Sequence, residues 1–322
     1  MTSPTFRTLD DVDYGRVEQV SPLIRRVIAE NPSKFTYRGT GTYILGQGDV
    51  VVIDPGPRLD THRDALAAAL AGERVRAILV THCHSDHSPL AAWLSAATGA
   101  PTYAYGAHPP PDPKWEELVK DESAEPATDD WKPVAVEEAI DYDFAPSVAL
   151  ADGDVVPDTP GLTIAAVYTP GHTSNHTCWA LAEERALFTG DHVMGWSTTV
   201  VAPPDGDMAD YIASLRKVAD RHDVMLWPTH GPPRDDAQEY VTALVAHRLE
   251  RESGVLAALD TGLATVREIV ALLYADVRQE LHKAAGMSVW SHLLKLVGEG
   301  RVEVEGSLPP ALAARYRSAH AG

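Results

Sequence analysis

Residues 77–87 read Ala77-Ile78-Leu79-Val80-Thr81-His82-Cys83-His84-Ser85-Asp86-His87, and they decide how the rest of the chain is read. The first four form a short continuous apolar run, the pattern of a strand covered on both faces. His82 and His84 follow two apart at its end, so the pleat predicts that both side chains project to one side and Cys83 to the other. Asp86 and His87 lie just beyond, where a turn can fold them back toward the first pair. Three further polar residues stand after other apolar strand candidates: His172 in Tyr168-Thr169-Pro170-Gly171-His172, Asp191 in Phe188-Thr189-Gly190-Asp191, and His230 in Pro228-Thr229-His230-Gly231. Loops that leave the same end of a sheet converge. The spacing therefore predicts that His82, His84, Asp86, His87, His172, Asp191 and His230 meet at one sheet edge. Imidazole and carboxylate at that density suit a borderline transition metal, zinc first, with iron or manganese able to occupy the same ligands.

Outward from this motif, strand and helix patterns alternate. Residues 42–45 and 50–53, separated by Gly46-Gln47-Gly48-Asp49, read as a hairpin. Residues 61–70 repeat Ala and Leu at helical spacing, and a second helix is expected over 89–97. Strands are expected at 101–105, 162–168, 178–181, 186–189 and 224–227, and a short helix near 23–29. This alternation predicts an α/β domain with covered sheets. From about residue 236 only helical patterns remain, at 240–259, 265–274 and 287–297, followed by a strand-like alternation at 301–304. Three helices and a short wing are the order of a winged helix.

Composition narrows the function. The chain has 322 residues, with 27 Lys+Arg against 46 Asp+Glu, a formal charge of −19. Apolar residues at 44% support a folded interior, of a size that suits one large unit and one small one. No apolar run approaches the roughly 18 residues of a membrane span. The N-terminal MTSPTFRTLDDVDYG lacks the basic patch and apolar stretch of a secretory leader, and Cys83 and Cys178 are too few for a stapled scaffold, so a cytoplasmic protein is expected. The acidic balance disfavours nucleic acid as a partner. Residues 237–322 carry nine Lys+Arg and ten Asp+Glu, so the winged helix shows no basic stripe. It fits a packing or dimerisation module, and a homo-oligomer is compatible with that. Residues 105–146 hold twelve acidic groups and three lysines together with Trp115, Trp131 and Tyr142. Two readings of this insert stand side by side: a solvated excursion, or a lid over the metals.

The motifs at 81–87, 170–173, 189–191 and 229–231 resemble the ordered motifs of the metallo-β-lactamase fold superfamily. Gly39-Thr40-Gly41-Thr42-Tyr43, His247-Arg248-Leu249-Glu250-Arg251-Glu252 and the helical tail resemble the β-lactamase-like protein 2 family more narrowly; Gly41 departs from it, where the family usually has Asn. The resemblance implies an αββα sandwich over residues 1–235 and a winged-helix domain over 236–322. It also implies two metals. His82, His84 and His172 would hold the first, Asp86, His87 and His230 the second, and Asp191 would bridge them, with the metals about 3.5–4 Å apart. A metal-bridging hydroxide would then attack a small ester, thioester, lactone or amide, and Asp86 would also accept or relay a proton. Alternatives are a single-stranded RNA endoribonuclease, which the acidic charge disfavours, and a weak or promiscuous β-lactamase. Of the remaining polar residues, Cys83 is expected to be a buried thiol and His192 structural. His176 reads equally as a partner for a ligand or as a loop residue, and Asp54 as a brace for the metal loops or a turn former.

Overall fold

A computed structural model of the chain describes residues 3–9, 11–119, 139–275, 282–306 and 308–319. The first sheet takes its strands in chain order: β1 (Val17–Gln19), β2 (Ile24–Ile28), β3 (Gly41–Gln47), β4 (Asp49–Ile53), β5 (Arg74–Leu79), β6 (Thr102–Ala104) and β7 (Val148–Ala149). Strands β1 to β4 pair antiparallel and β4 to β7 parallel. Helices α1 (Asp60–Ala69) and α2 (Ala91–Thr98) supply the crossovers on either side of β5, and α3 (Lys114–Leu118) follows β6. The second sheet has β8 (Ile164–Tyr168), β9 (Thr177–Leu181), β10 (Ala186–Gly190) and β11 (Met225–Pro228) in the order β11-β10-β9-β8, with α4 (Met208–Ala219) between β10 and β11. Then come α5 (Ala237–Asp260), α6 (Val266–Leu273), α7 (His282–Gly298) and the paired wing strands β12 (Val302–Val304) and β13 (Tyr316–Ser318).

Side-chain alternation builds the layers. Tyr43, Leu45, Val51 and Ile53 face inward against Trp179, Phe188 and Trp227 of the second sheet. Their neighbours Ile44, Val50 and Val52 face outward against Leu66 of α1 and Leu94 of α2. On the far side, Cys178, Ala180 and Leu187 meet Tyr211 and Leu215 of α4 and Tyr240 and Leu244 of α5. The result is the αββα sandwich expected from the sequence. A fourth core, around Ile269, Trp290, Leu293 and Val302, closes the winged helix. Helix α5 enters both: Tyr240, Val241 and Leu244 belong to the sandwich, Val255, Ala258 and Leu259 to the winged-helix core.

Residues 24–28 form β2 where a helix was expected. Ile24, Val27 and Ile28 sit at i, i+3 and i+4, which mimics a helical stripe, but Ile24 packs between the sheets and Val27 on the outer face. The charged Arg26 is accommodated in the strand by an ion pair with Glu18 at 2.7 Å. Helix α4 had no sequence expectation; its start is capped by Asp207, which accepts from Asp210 N at 2.9 Å. Residues 120–138 of the insert, Trp131 included, lie outside the described residues. In its described part Trp115, Leu118 and Val119 pack on the winged-helix core, Trp115 edge-on to Trp290, while Ile140 pairs with His84.

Candidate metal centre

Strand directions bring the candidate residues to one edge. Strands β4 and β5 run parallel, so Asp54 and residues 80–87 leave at the same end. In the second sheet β9 is antiparallel to both β8 and β10, and β11 is parallel to β10. Residues 169–172, 191 and 229–230 therefore leave together as well. Strand β5 itself ends at Leu79, so His82 and His84 converge from a loop and not from the pleat of a strand. Gly171 and Gly190 permit the tight exits: both have positive φ, and a Cβ on Gly171 would lie 2.3 Å from the backbone of Tyr211.

All seven side chains are buried and adjacent. His82 Nε2 lies 2.9 Å from His84 Nδ1, which lies 3.2 Å from His172 Nε2. On the other side, His230 Nε2 is 3.1 Å and His87 Nε2 3.4 Å from Asp86 Oδ2. Asp191 stands between the two groups. Its Oδ1 is 3.4 Å from His230 Nε2 and 3.6 Å from His87 Nε2, and its Oδ2 faces His172 Nε2 at 3.8 Å. The trios His82/His84/His172, His82/His87/Asp191 and Asp86/His87/His230 each have the proximity to hold a cation.

The outer nitrogens fix the rings. His172 Nδ1 is 2.8 Å from Val200 O, His230 Nδ1 3.2 Å from Gly39 O, and His87 Nδ1 2.9 Å from Asp54 Oδ2, all acceptors, so each Nδ1 donates outward and each Nε2 is the nitrogen turned toward the centre. Inward, His87 Nε2, His230 Nε2 and Asp191 Oδ1 are buried with no hydrogen-bond partner among the described residues. Orphaned buried polar atoms are rare in folded proteins. Three aimed at one point, in a set of imidazoles and carboxylates, fit a divalent cation in donor chemistry and position. The electrostatics divide the centre. Burial, reinforced by His172, pushes His84 down to about 3, and His82 also falls well below the usual range. Burial opposes charge on His87 and His230 too, but the carboxylates of Asp86 and Asp191 prevail, holding His87 well above its ordinary value and His230 at about 10. The second group thus lies in the combined field of two carboxylates, which favours positive charge there.

Supporting residues complete the site. Asp54 is wholly buried, at positive φ, and accepts from Thr81 N (2.8 Å), Thr81 Oγ1 (2.8 Å), His87 Nδ1 (2.9 Å) and Thr229 Oγ1 (3.0 Å). It is both a turn former and a brace. His176 Nε2 accepts from Asp191 N at 3.3 Å, making it a partner of the centre. His192 is buried against Tyr211. Cys83 turns away and accepts from Asn175 Nδ2 at 3.0 Å. Sequence reasoning missed Thr40, whose Oγ1 donates to Asp86 Oδ2 at 2.9 Å, and His62, whose Nε2 lies 2.9 Å from Thr42 Oγ1 beneath the Asp54 turn. The run Gly39-Thr40-Gly41-Thr42 held the clue for both threonines.

A cavity of about 340 Å³ opens beside His172 and Asp191. Phe35, Met194 and Trp196 form an apolar wall, and the opposite wall comes from α5 and α7 of the winged-helix half. A smaller apolar cleft of about 100 Å³ lies on the other side of His84, against Ile140, Pro203 and Pro204. Among the described residues no helix is long and apolar enough to cross a membrane.

Comparison with known proteins agrees with this architecture. Residues 37–230 match the Metallo-beta-lactamase superfamily and residues 265–311 the Beta-lactamase associated winged helix domain. A Beta-lactamase-like protein 2 homolog of Caenorhabditis elegans is 31% identical over 298 residues, covering 89% of this chain and 88% of the relative. An atrochrysone carboxyl ACP thioesterase of Aspergillus novofumigatus is 29% identical over 274 residues, covering 81% and 73%. Among solved structures, a beta-lactamase domain protein from Burkholderia ambifaria superposes with a TM-score of 0.71 at 22% identity, covering 94% of each chain. Fold, motifs and relatives agree: the chain is a metallo-β-lactamase superfamily hydrolase that carries the β-lactamase-associated winged helix.

Proposed function

We propose that this chain is a two-metal hydrolase of small esters and thioesters. The observation that carries the reading is the convergence of His87 Nε2, His230 Nε2 and Asp191 Oδ1, buried and unpartnered, beside the His82/His84/His172 trio. In this reading His82, His84 and His172 hold one cation, Asp86, His87 and His230 the other, and Asp191 offers one oxygen to each. Zinc is the first choice, with iron and manganese decided by metal analysis. Two such cations, when bound, supply an activated water and polarise the group it attacks. The chain does the rest. Val200, Gly39 and Asp54 keep the Nδ1 protons of His172, His230 and His87, which holds their Nε2 lone pairs in place. Thr40 occupies Asp86 Oδ2 from the outside, and Asp86 Oδ1 is the atom we assign to proton relay. The apolar wall of Phe35, Met194 and Trp196 excludes bulk water and seats the substrate body.

The thioester preference is supported by relatives named as ACP thioesterases, such as the one above. Residues 1–235 then carry the chemistry, and residues 236–322 close the cavity. Both cysteines are free and buried, which suits a reducing compartment such as the cytoplasm. The test is metal analysis of the purified protein with turnover on esters, thioesters, lactones, β-lactams and RNA. Two metals per chain and thioester turnover are expected, with His84→Ala and Asp191→Ala losing both metal and about 10³-fold or more in rate. A fully active, metal-replete variant refutes the assignment.

A further inference from the structure

The motif His247-Arg248-Leu249-Glu250-Arg251-Glu252 plays no part in the metal site, yet it reaches the adjoining cavity. On α5, residues 247 and 248 lie four and three positions before 251, so the three share one helix face. The roll of that helix is fixed on both sides. Leu244 and Val255 sit in the two cores, and the buried Glu252 accepts from Lys295 at 2.6 Å and Arg301 at 2.8 Å. With the helix so held, His247, Arg248 and Arg251 line the cavity that also contains His172 and Asp191.

The charge there is not balanced from within. Arg248 is only 4% exposed; its Nη2 donates to Thr199 O at 2.5 Å and its guanidinium lies over the Tyr211 ring at 5.1 Å. Arg251 Nε donates weakly to His247 Nε2 at 3.5 Å and sits over Tyr274 at 5.2 Å. Among the described residues, no carboxylate stands within ion-pair distance of either guanidinium. A buried cation without a counter-charge is costly, and this chain has an excess of carboxylates from which one could have been supplied. Burial and the two neighbouring guanidiniums push His247 down to about 4, so it is a neutral acceptor at physiological pH and the charge belongs to the arginines.

The arginine face is also tied to the centre. Thr199 O receives Arg248, Thr199 Oγ1 donates to Asp191 O at 2.7 Å, and the next carbonyl, Val200 O, receives His172 Nδ1 at 2.8 Å. One residue of backbone separates the carbonyl that holds the arginine from the carbonyl that orients a metal-facing imidazole. At about 340 Å³ the cavity stands at the small end of ligand pockets, which run about 300–1,000 Å³.

We propose that Arg248 and Arg251 form an oxyanion-binding subsite, so that the substrate is a small ester or thioester bearing a carboxylate or phosphate on the part that enters this cavity. The planar guanidiniums accept either group through paired charge-assisted hydrogen bonds. The apolar wall takes the intervening carbons, and the scissile carbonyl comes to rest at the metal-facing atoms. This rests on the hydrolase reading above.

Two measurements on the full chain as purified test it. The first is the ratio of kcat/KM for mono-p-nitrophenyl glutarate over p-nitrophenyl acetate; the second is calorimetric binding of glutarate and of inorganic phosphate. In Arg251→Gln and Arg248→Gln the ratio should fall by about tenfold or more, with binding weakened to the same degree, while Arg317→Gln on the exposed wing moves neither. Whichever anion shows the arginine dependence names the source. Arg251 is partly exposed and carries the test if the buried Arg248 variant does not fold. Binding that survives His84→Ala supports the subsite. An unmoved ratio and unmoved binding in both arginine variants overturns it, as does anion binding lost in His84→Ala but kept in both. If no ester is turned over and glutarate or phosphate still binds through the arginines, the subsite stands and the hydrolase reading falls.

Discussion

Replacing Asp54 by Asn isolates the support of the metal centre from the centre itself. The carboxylate accepts four hydrogen bonds, three at Oδ2 from Thr81 Oγ1, Thr229 Oγ1 and His87 Nδ1, and one at Oδ1 from Thr81 N. An amide keeps one acceptor oxygen and turns the other into a donor. If its oxygen takes the Oδ2 place, the new NH2 faces the Thr81 N–H; if it takes the Oδ1 place, the NH2 faces three donors. The threonine hydroxyls can rotate, but the backbone N–H and the imidazole N–H cannot, so at least one buried donor is orphaned in either orientation. That costs about 1–3 kcal/mol, and losing the charge on the remaining bonds adds to it, for a total of about 2–4 kcal/mol. Metal affinity should respond unequally. His87 is held by Asp54 directly, whereas His82 is reached only through Thr81 Oγ1, at 3.0 Å from its Nδ1. The more weakly held metal should therefore come from the Asp86/His87/His230 group, with affinity down about 10–100-fold. The assay is chelator competition on metal-loaded protein with thermal unfolding of the same samples. A variant that melts like the wild type and holds both metals equally well refutes the reasoning.

Three other expectations are independent of that one. Gly171→Ala places a Cβ 2.3 Å from the Tyr211 backbone at a φ of +129°, so expression yield and melting temperature should show a loss of about 3 kcal/mol or more. Cys83 and Cys178 are wholly buried, and burial pushes their thiols up to about 11 and about 12, so a thiol-specific disulfide reagent should count none in the native protein and two after unfolding in urea. Burial disfavours charge on Glu252, yet His292, Lys295 and Arg301 hold its carboxyl down at about 2. Because that value is depressed, its contribution to stability is present above pH 4.5 and is lost as the pH falls toward 2, so a pH series of melting temperatures should show a drop there that is smaller in Glu252→Gln.

The layered fold was legible because its strands alternate or run apolar in short bounded segments. The hairpin of β3 and β4 and the buried β5 need only their own residues to be recognised. β2 was not, because a strand packed on both faces with Arg25 and Arg26 between its apolar positions shares the spacing of a helix. The site residues were legible as motifs at strand ends, since chemistry confines them to few residue types. Their supports were less so: a threonine such as Thr40 or Thr229 looks like any turn residue until the loop it braces is in place. Least visible was the arginine face of α5. Charge counting over residues 237–322 averages it away, and only the roll of the helix reveals that Arg248 and Arg251 face the cavity.

Helix α5 is continuous over 24 residues, which at about 1.5 Å per residue makes it a rod of some 36 Å. Its first turns are embedded beside α4 and its last turns beside Trp290, so the polypeptide offers no seam at which the two interiors part without wetting apolar surface. The winged helix is for that reason not a portable module hung on an enzyme. New helices grafted after the rod could redraw the far side of the cavity while leaving the imidazoles of the sandwich where they stand, a route by which substrate choice can drift without disturbing the His/Asp cluster.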